Sequence, residues 1–81
     1  MILEIISPDT SIFSGEVSLI QVPGSKGSFE ILKNHAPIIS TLDAGQIKIV
    51  APDGKITFYE IDGGVIESKE NKIIILAEGA R

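Results

Sequence analysis

Cysteine and tryptophan are absent from these 81 residues, and histidine and tyrosine occur once each. Without cysteine there can be no disulfide, thiolate-held zinc, iron–sulfur cluster or thiol nucleophile. His35 alone cannot build a multi-histidine metal centre. Basic residues are scarce: seven Lys and Arg against eleven Asp and Glu leave a net charge of −4. That sign is wrong for a dedicated nucleic-acid binder, and it favours solubility and basic partners. Long apolar runs are missing too. The longest, Ile73 to Ala77, falls well short of the roughly 20 residues that a membrane-spanning helix needs. The opening Met1-Ile2-Leu3-Glu4-Ile5 has no basic region and no Arg/Ser-rich leader follows it, so neither secretion nor organelle import is expected and the cytoplasm is the default compartment. A chain of this length is expected to form one domain, residues 1–81. Domains of this size bury about 60% of their unfolded surface.

What is abundant is isoleucine. Sixteen Ile, four Val and five Leu stand against five Ala, and β-branched side chains favour a pleated surface over a helix. Gly and Pro agree, because they cut the chain into stretches of nine residues or fewer, Val65 to Glu78 excepted. In that longer stretch Val65-Ile66 and Ile73 to Leu76 flank a polar run that draws no helical stripe, which predicts a hairpin turning at Lys69-Glu70-Asn71. Further strands are predicted at Ile2 to Ile6, Ile12 to Phe13, Glu16 to Val22, Ser28 to Leu32, Ile38 to Leu42, Gln46 to Ala51 and Ile56 to Ile61. Pro52-Asp53-Gly54-Lys55 has the chemistry of a tight turn between two alternating strands. Within Glu16 to Val22 the alternation slips at Leu19-Ile20, so a bend or bulge is expected there. Many short strands at close spacing predict an all-β sandwich or closed barrel with no long helix.

Chemistry is harder to find. Pro23-Gly24-Ser25-Lys26-Gly27-Ser28 has the small residues of a phosphate loop, but its Lys precedes the second Gly and a strand follows, so it reads as an exposed turn. His35 has no Ser, Cys or carboxylate at a spacing that would recruit it, and a structural or interface role is the better reading. The acidic residues are scattered over turns and polar strand faces. Asp62-Gly63-Gly64 reads as a pair of glycines turning the chain between strands. No catalytic residue, metal ligand or cofactor-binding loop is expected. Two non-enzymatic classes remain: a biotinyl- or lipoyl-like carrier (or small binding module) with Lys55 on its hairpin tip, and an interaction module working through its surfaces. The carrier is disfavoured because such domains flank their lysine with Met or with Asp and Ala, and the only Met here is residue 1.

Read in order, the landmarks resemble a known family. They are Leu3-Glu4-Ile5-Ile6-Ser7-Pro8, Ile12-Phe13-Ser14-Gly15-Glu16-Val17, Val22 to Leu32 with its Pro23-Gly24 and Gly27, and Asn34-His35-Ala36-Pro37-Ile38-Ile39. Leu42, Gly45-Gln46-Ile47, Gly63 to Glu67 and Ile73 to Glu78 complete the set. Each is weak alone; in this order and spacing they are specific. The whole chain is similar to the N-terminal β-sandwich of the ε subunits of F-type ATP synthases, called δ in mitochondria.

The resemblance implies a flattened antiparallel β-sandwich of about ten strands in the central stalk, non-catalytic and without cofactor. Such a subunit turns with the rotor and binds the γ subunit and the membrane c-ring, within the α, β, γ, ε sector, coupling proton translocation to ATP synthesis. By family pattern Lys26, Gly27 and Ser28 face the polar loops of the c-ring, and His35, Ala36 and Pro37 face γ. The implied location is peripheral, on the cytoplasmic face of the bacterial inner membrane, with no insertion into lipid. The chain stops at Arg81, before the helical hairpin typical of the family, and is expected to be a short form. Glu30 and Lys33 stand where Gly and Pro are common in the family, so loop geometry near the interface is expected to differ.

Overall fold

Alternation of Ile with polar residues becomes pleated strand wherever one face can be buried. The computed structural model describes all 81 residues and contains nine strands and no helix. They are β1 (Ile2–Ile6), β2 (Ser11–Glu16), β3 (Leu19–Val22), β4 (Phe29–Leu32), β5 (Ile38–Leu42), β6 (Gly45–Val50), β7 (Ile56–Ile61), β8 (Gly63–Lys69) and β9 (Lys72–Glu78). Five form one sheet in the order β2-β1-β9-β8-β5 and four the other, β4-β3-β6-β7. The two inner faces share one core of fourteen residues, nine of them Ile, with Leu3, Leu42, Val17, Val22 and Ala77. All-β and two-layered are both as expected; the count is nine strands rather than about ten.

Two features depart from the sequence reading. First, the predicted single strand Glu16 to Val22 is divided. β2 ends at Glu16 in the five-stranded sheet and β3 starts at Leu19 in the four-stranded one. The break therefore falls at Val17-Ser18, not at Leu19-Ile20. Val17 is buried and its N–H donates to the Met1 carbonyl at 2.9 Å. Ser18 bonds the Val50 carbonyl through both its N–H (2.8 Å) and its hydroxyl (3.1 Å). The slipped alternation marks a corner at which the chain changes sheets, which moves its apolar phase by one residue. Second, β1 and β9 pair in parallel, Ile2 opposite Lys72 through Ile6 opposite Leu76, whereas every other named pair is antiparallel.

The predicted turns form as expected. Glu70 and Asn71, at φ 53° and 62°, make the two-residue connection between β8 and β9 that suits the twist of a hairpin. The Pro52-Asp53-Gly54-Lys55 turn is closed by the Gly54 N–H on the Ala51 carbonyl at 2.9 Å, and the Asp53 carboxylate accepts the Lys55 N–H at 3.0 Å. Gly63-Gly64 is not a hairpin turn: the chain crosses there from β7 in one sheet to β8 in the other. A Cβ on Gly64 would be driven into the Leu76 carbonyl oxygen of the paired strand, so close backbone approach demands glycine.

The open sides of the sandwich are closed differently. Phe13 on β2 and Tyr59 on β7 meet edge to face, with centroids 6.3 Å apart, between the edge strands of the two sheets, a favoured geometry for two rings. On the other side Gly24 bridges to Leu42 of β5.

Candidate partner-binding surface

The two segments singled out in the sequence lie at opposite ends of β4: residues 23–28 lead into it and residues 33–37 lead out of it to β5. Both are exposed at their tips, Ser25 to Ser28 and Lys33 to Pro37. Strand β5 connects them, starting beside the second and ending beside the first.

The 23–28 segment is tied to β5 by main chain. The Ser25 N–H donates to the Thr41 carbonyl at 3.0 Å, the Asp43 N–H to the Pro23 carbonyl at 2.8 Å, and the Gly27 N–H to the Gly24 carbonyl at 2.9 Å. Side chains reinforce it: the Thr41 hydroxyl donates to Ser25 Oγ at 2.8 Å, and Ser25 Oγ donates to Asp43 Oδ1 at 3.1 Å. Gln21 Nε2 donates to Ser28 Oγ at 3.1 Å. Gly24 is buried, and a Cβ there would lie 2.6 Å from the Phe29 ring and 2.7 Å from the Gly27 carbonyl. The Ser25 and Gly27 N–H groups are thus both taken up by main-chain carbonyls, and residues 25 and 26 form a turn.

An open groove of about 620 Å³ runs between this loop and β5, lined among others by Ser25, Lys26, Phe29, Ile38, Ile39 and Thr41. Lys26 is its only charged lining residue. Ile39, 72% exposed, is the most exposed large apolar residue of the protein. The Ile38-Ile39 doublet was the signal for it: in a strand with one face on the core, one member must point outward.

The 33–37 segment is held more lightly. The His35 N–H donates to the Leu32 carbonyl at 3.1 Å, and His35 Nδ1 lies 2.7 Å from the Ala36 carbonyl. A contact with a carbonyl oxygen calls for the tautomer protonated at Nδ1. The segment's one link to distant chain is a pair of hydrogen bonds between Asn34 and the Asn71 side-chain amide. The sequence named Asn34 as a landmark and Asn71 as a turn residue but did not pair them, because nothing local connects them. His35 has no nucleophile or carboxylate among its hydrogen-bond partners.

The outer faces carry apolar rows that only the sheet order reveals. On the five-stranded sheet Ile6, Leu76, Val65 and Thr41 lie across four neighbouring strands in one register row. On the four-stranded sheet Leu32, Leu19, Val50 and Ile56 form another, with the exposed Phe58 beside it. At the chain's end Arg81 pairs main chain with Glu60 on the free edge of β7, at 2.9 and 2.8 Å. Its guanidinium grips Asp62 at 3.0 and 3.3 Å. That hydrogen-bonded cation lowers the Asp62 pKa below the usual carboxylate value, and Asp62 in turn raises that of Arg81.

The sequence model of the ATP synthase delta/epsilon chain β-sandwich domain matches residues 1–81. The chain belongs to this family. It is 44% identical over 81 residues to the ATP synthase epsilon chain of Campylobacter hominis, covering 99% of this chain and 62% of that one. To the epsilon chain of Dichelobacter nodosus it is 43% identical over 76 residues, covering 94% and 53%. In three dimensions it is similar to a chain of the Euglena gracilis mitochondrial ATP synthase, solved as an OSCP, F1 and c-ring assembly, with a TM-score of 0.94 at 24% identity over 100% of this chain and 52% of that one. The chain thus spans little more than half to three fifths of the length of these relatives. A family match over the whole sandwich replaces the carrier reading of Lys55.

Proposed function

We propose that these 81 residues act as one β-sandwich domain in the central-stalk subunit of an F-type ATP synthase, linking γ to the c-ring and coupling proton translocation to ATP synthesis. It does no chemistry itself. The observation that carries this reading is the family match over residues 1–81, joined to the placement of two exposed segments at opposite ends of β4. The Lys26, Gly27 and Ser28 loop faces the polar loops of the c-ring; His35, Ala36 and Pro37 face γ. The protein works at the cytoplasmic face of the bacterial inner membrane, bound there through its partners. A coupling element must carry torque without deforming, and a close-packed core dominated by Ile has the low compressibility that this requires. Open apolar rows on the outer faces supply the contact area that a rotor subunit needs.

Co-purification of the tagged chain from its native membranes, followed by mass spectrometry, tests the reading. Recovery of γ, the c subunit and the catalytic subunits is expected. Recovery of the chain alone, or with an enzyme of carboxyl or acyl transfer, overturns it.

A further inference from the structure

Asn34 and Asn71 are 37 residues apart in the chain, and the Asn71 side chain holds both the backbone and the side chain of Asn34. Asn71 Oδ1 accepts the Asn34 backbone N–H at 2.7 Å, and Asn71 Nδ2 donates to Asn34 Oδ1 at 3.1 Å. Both residues adopt left-handed backbone, at φ 66° and 62°, a region that Asn tolerates better than most side chains. Their frames differ in rigidity. Asn71 closes the β8–β9 hairpin, and its carbonyl accepts the Ile2 N–H at 2.9 Å, so it is fixed to three strands. Asn34 belongs to a fully exposed segment whose only other main-chain tie is the bond from His35 to Leu32.

We infer that Asn71 is a positioning residue for the 34–37 segment: its amide, projecting from a rigid hairpin, sets the conformation in which His35, Ala36 and Pro37 meet their partner. This rests on the reading that the segment faces γ. Two exposed hydrogen bonds add little to global stability, but a surface ordered before binding does not have to be ordered during it. The link is also specific in shape. It needs an acceptor and a donor on two separate atoms of one short side chain, which neither the acceptor-only Asp carboxylate nor the single Ser hydroxyl presents.

Asn71→Gly isolates the effect, because glycine accepts the left-handed backbone of this position and keeps the carbonyl for Ile2 while both amide bonds are lost. Asn34→Gly keeps its backbone N–H for Asn71 and loses one bond of the two. Three quantities are read on each full chain: thermal midpoint, amide exchange at His35 and Ala36, and affinity for purified γ. For Asn71→Gly the midpoint is expected to move by less than about 4 °C. Exchange at His35 and Ala36 rises, and Kd for γ rises about tenfold, the cost of ordering roughly one residue on binding. Asn34→Gly gives a smaller rise, and the double variant is no weaker than Asn71→Gly, because both substitutions cut the same link. Unchanged exchange, unchanged Kd in a chain whose wild type binds γ, or a loss of midpoint in proportion to the loss of binding each overturns the inference. A folded wild type that does not bind γ at all instead removes the γ reading, and this inference with it.

Discussion

The loop at Lys26 and the segment at His35 have similar length and exposure and flank the same strand, yet they are built on different principles. The first is an extension of the sheet: Gly24 bridges to Leu42, Ser25 bonds Thr41, and its base packs on Phe29 with no room for a Cβ. The second hangs from one turn bond and one pair of asparagine amides. A loop held by main chain shares the stability of the core. A segment held by a few exposed hydrogen bonds does not, and substitutions in it are expected to leave the fold intact.

The sharpest break in this comparison is Gly24→Ala. A methyl 2.6 Å from the Phe29 ring must displace the ring or the loop, and overpacking of this kind costs about 1–3 kcal/mol. Denaturant unfolding should show it in the midpoint; an unchanged midpoint would mean that the base of the loop is not part of the cooperative unit. Ser25→Ala comes next. It removes the hydroxyl joining Thr41 to Asp43, an expected loss of about 0.5–1.5 kcal/mol by the same measurement. Lys26→Glu, at the open tip, should leave stability within about 0.5 kcal/mol while reversing the only charge that lines the groove. The salt dependence of assembly with the c-ring is the readout, and no change in it would count against that loop as the contact.

Smallest of all is the acid response of a third tethered region, the Arg81 tail. Because Arg81 lowers the folded-state pKa of Asp62 below 3.8, the pair's stabilisation is fully present above that ordinary value and is lost as pH falls through the lowered one. Both partners are well exposed, so solvent screening keeps the effect small. It should be visible as a loss of amide protection at Glu60 and Arg81, relative to their intrinsic exchange rates, at acid pH with little change in global unfolding.

Much of the fold was legible in the residues. β1, β5 and β7 begin and end where alternation and flanking turn residues place them, since each has one face on the core and a slip of one residue would turn Leu3 and Ile5, Leu42, or Ile61 out of it. The hairpins at Pro52 to Lys55 and at Glu70-Asn71 followed from turn chemistry, which is local. The slipped phase near Leu19 was visible but its meaning was not. A bulge within one strand and a corner between two sheets leave the same mark on a sequence, and only strand pairing tells them apart. Of the candidate surface, the exposed tips at Lys26 and His35 were legible as turns. Their different anchors were not, because Thr41, Asp43 and Asn71 reach them through pairings distant in the chain.

By itself the sequence determined the class of structure and the ordered landmarks by which the family is known. An Ile-rich chain cut into short alternating pieces by Gly and Pro can bury its apolar faces only as a β sandwich or barrel. Tertiary structure alone decided that β1 and β9 lie parallel, that single apolar residues from separate strands line up as rows on the outer faces, and that Asn34 meets Asn71. The reason is physical: periodicity is a property of neighbours along the chain, whereas a row, a clasp or a groove exists only between strands, in the order that burial of a common core imposes.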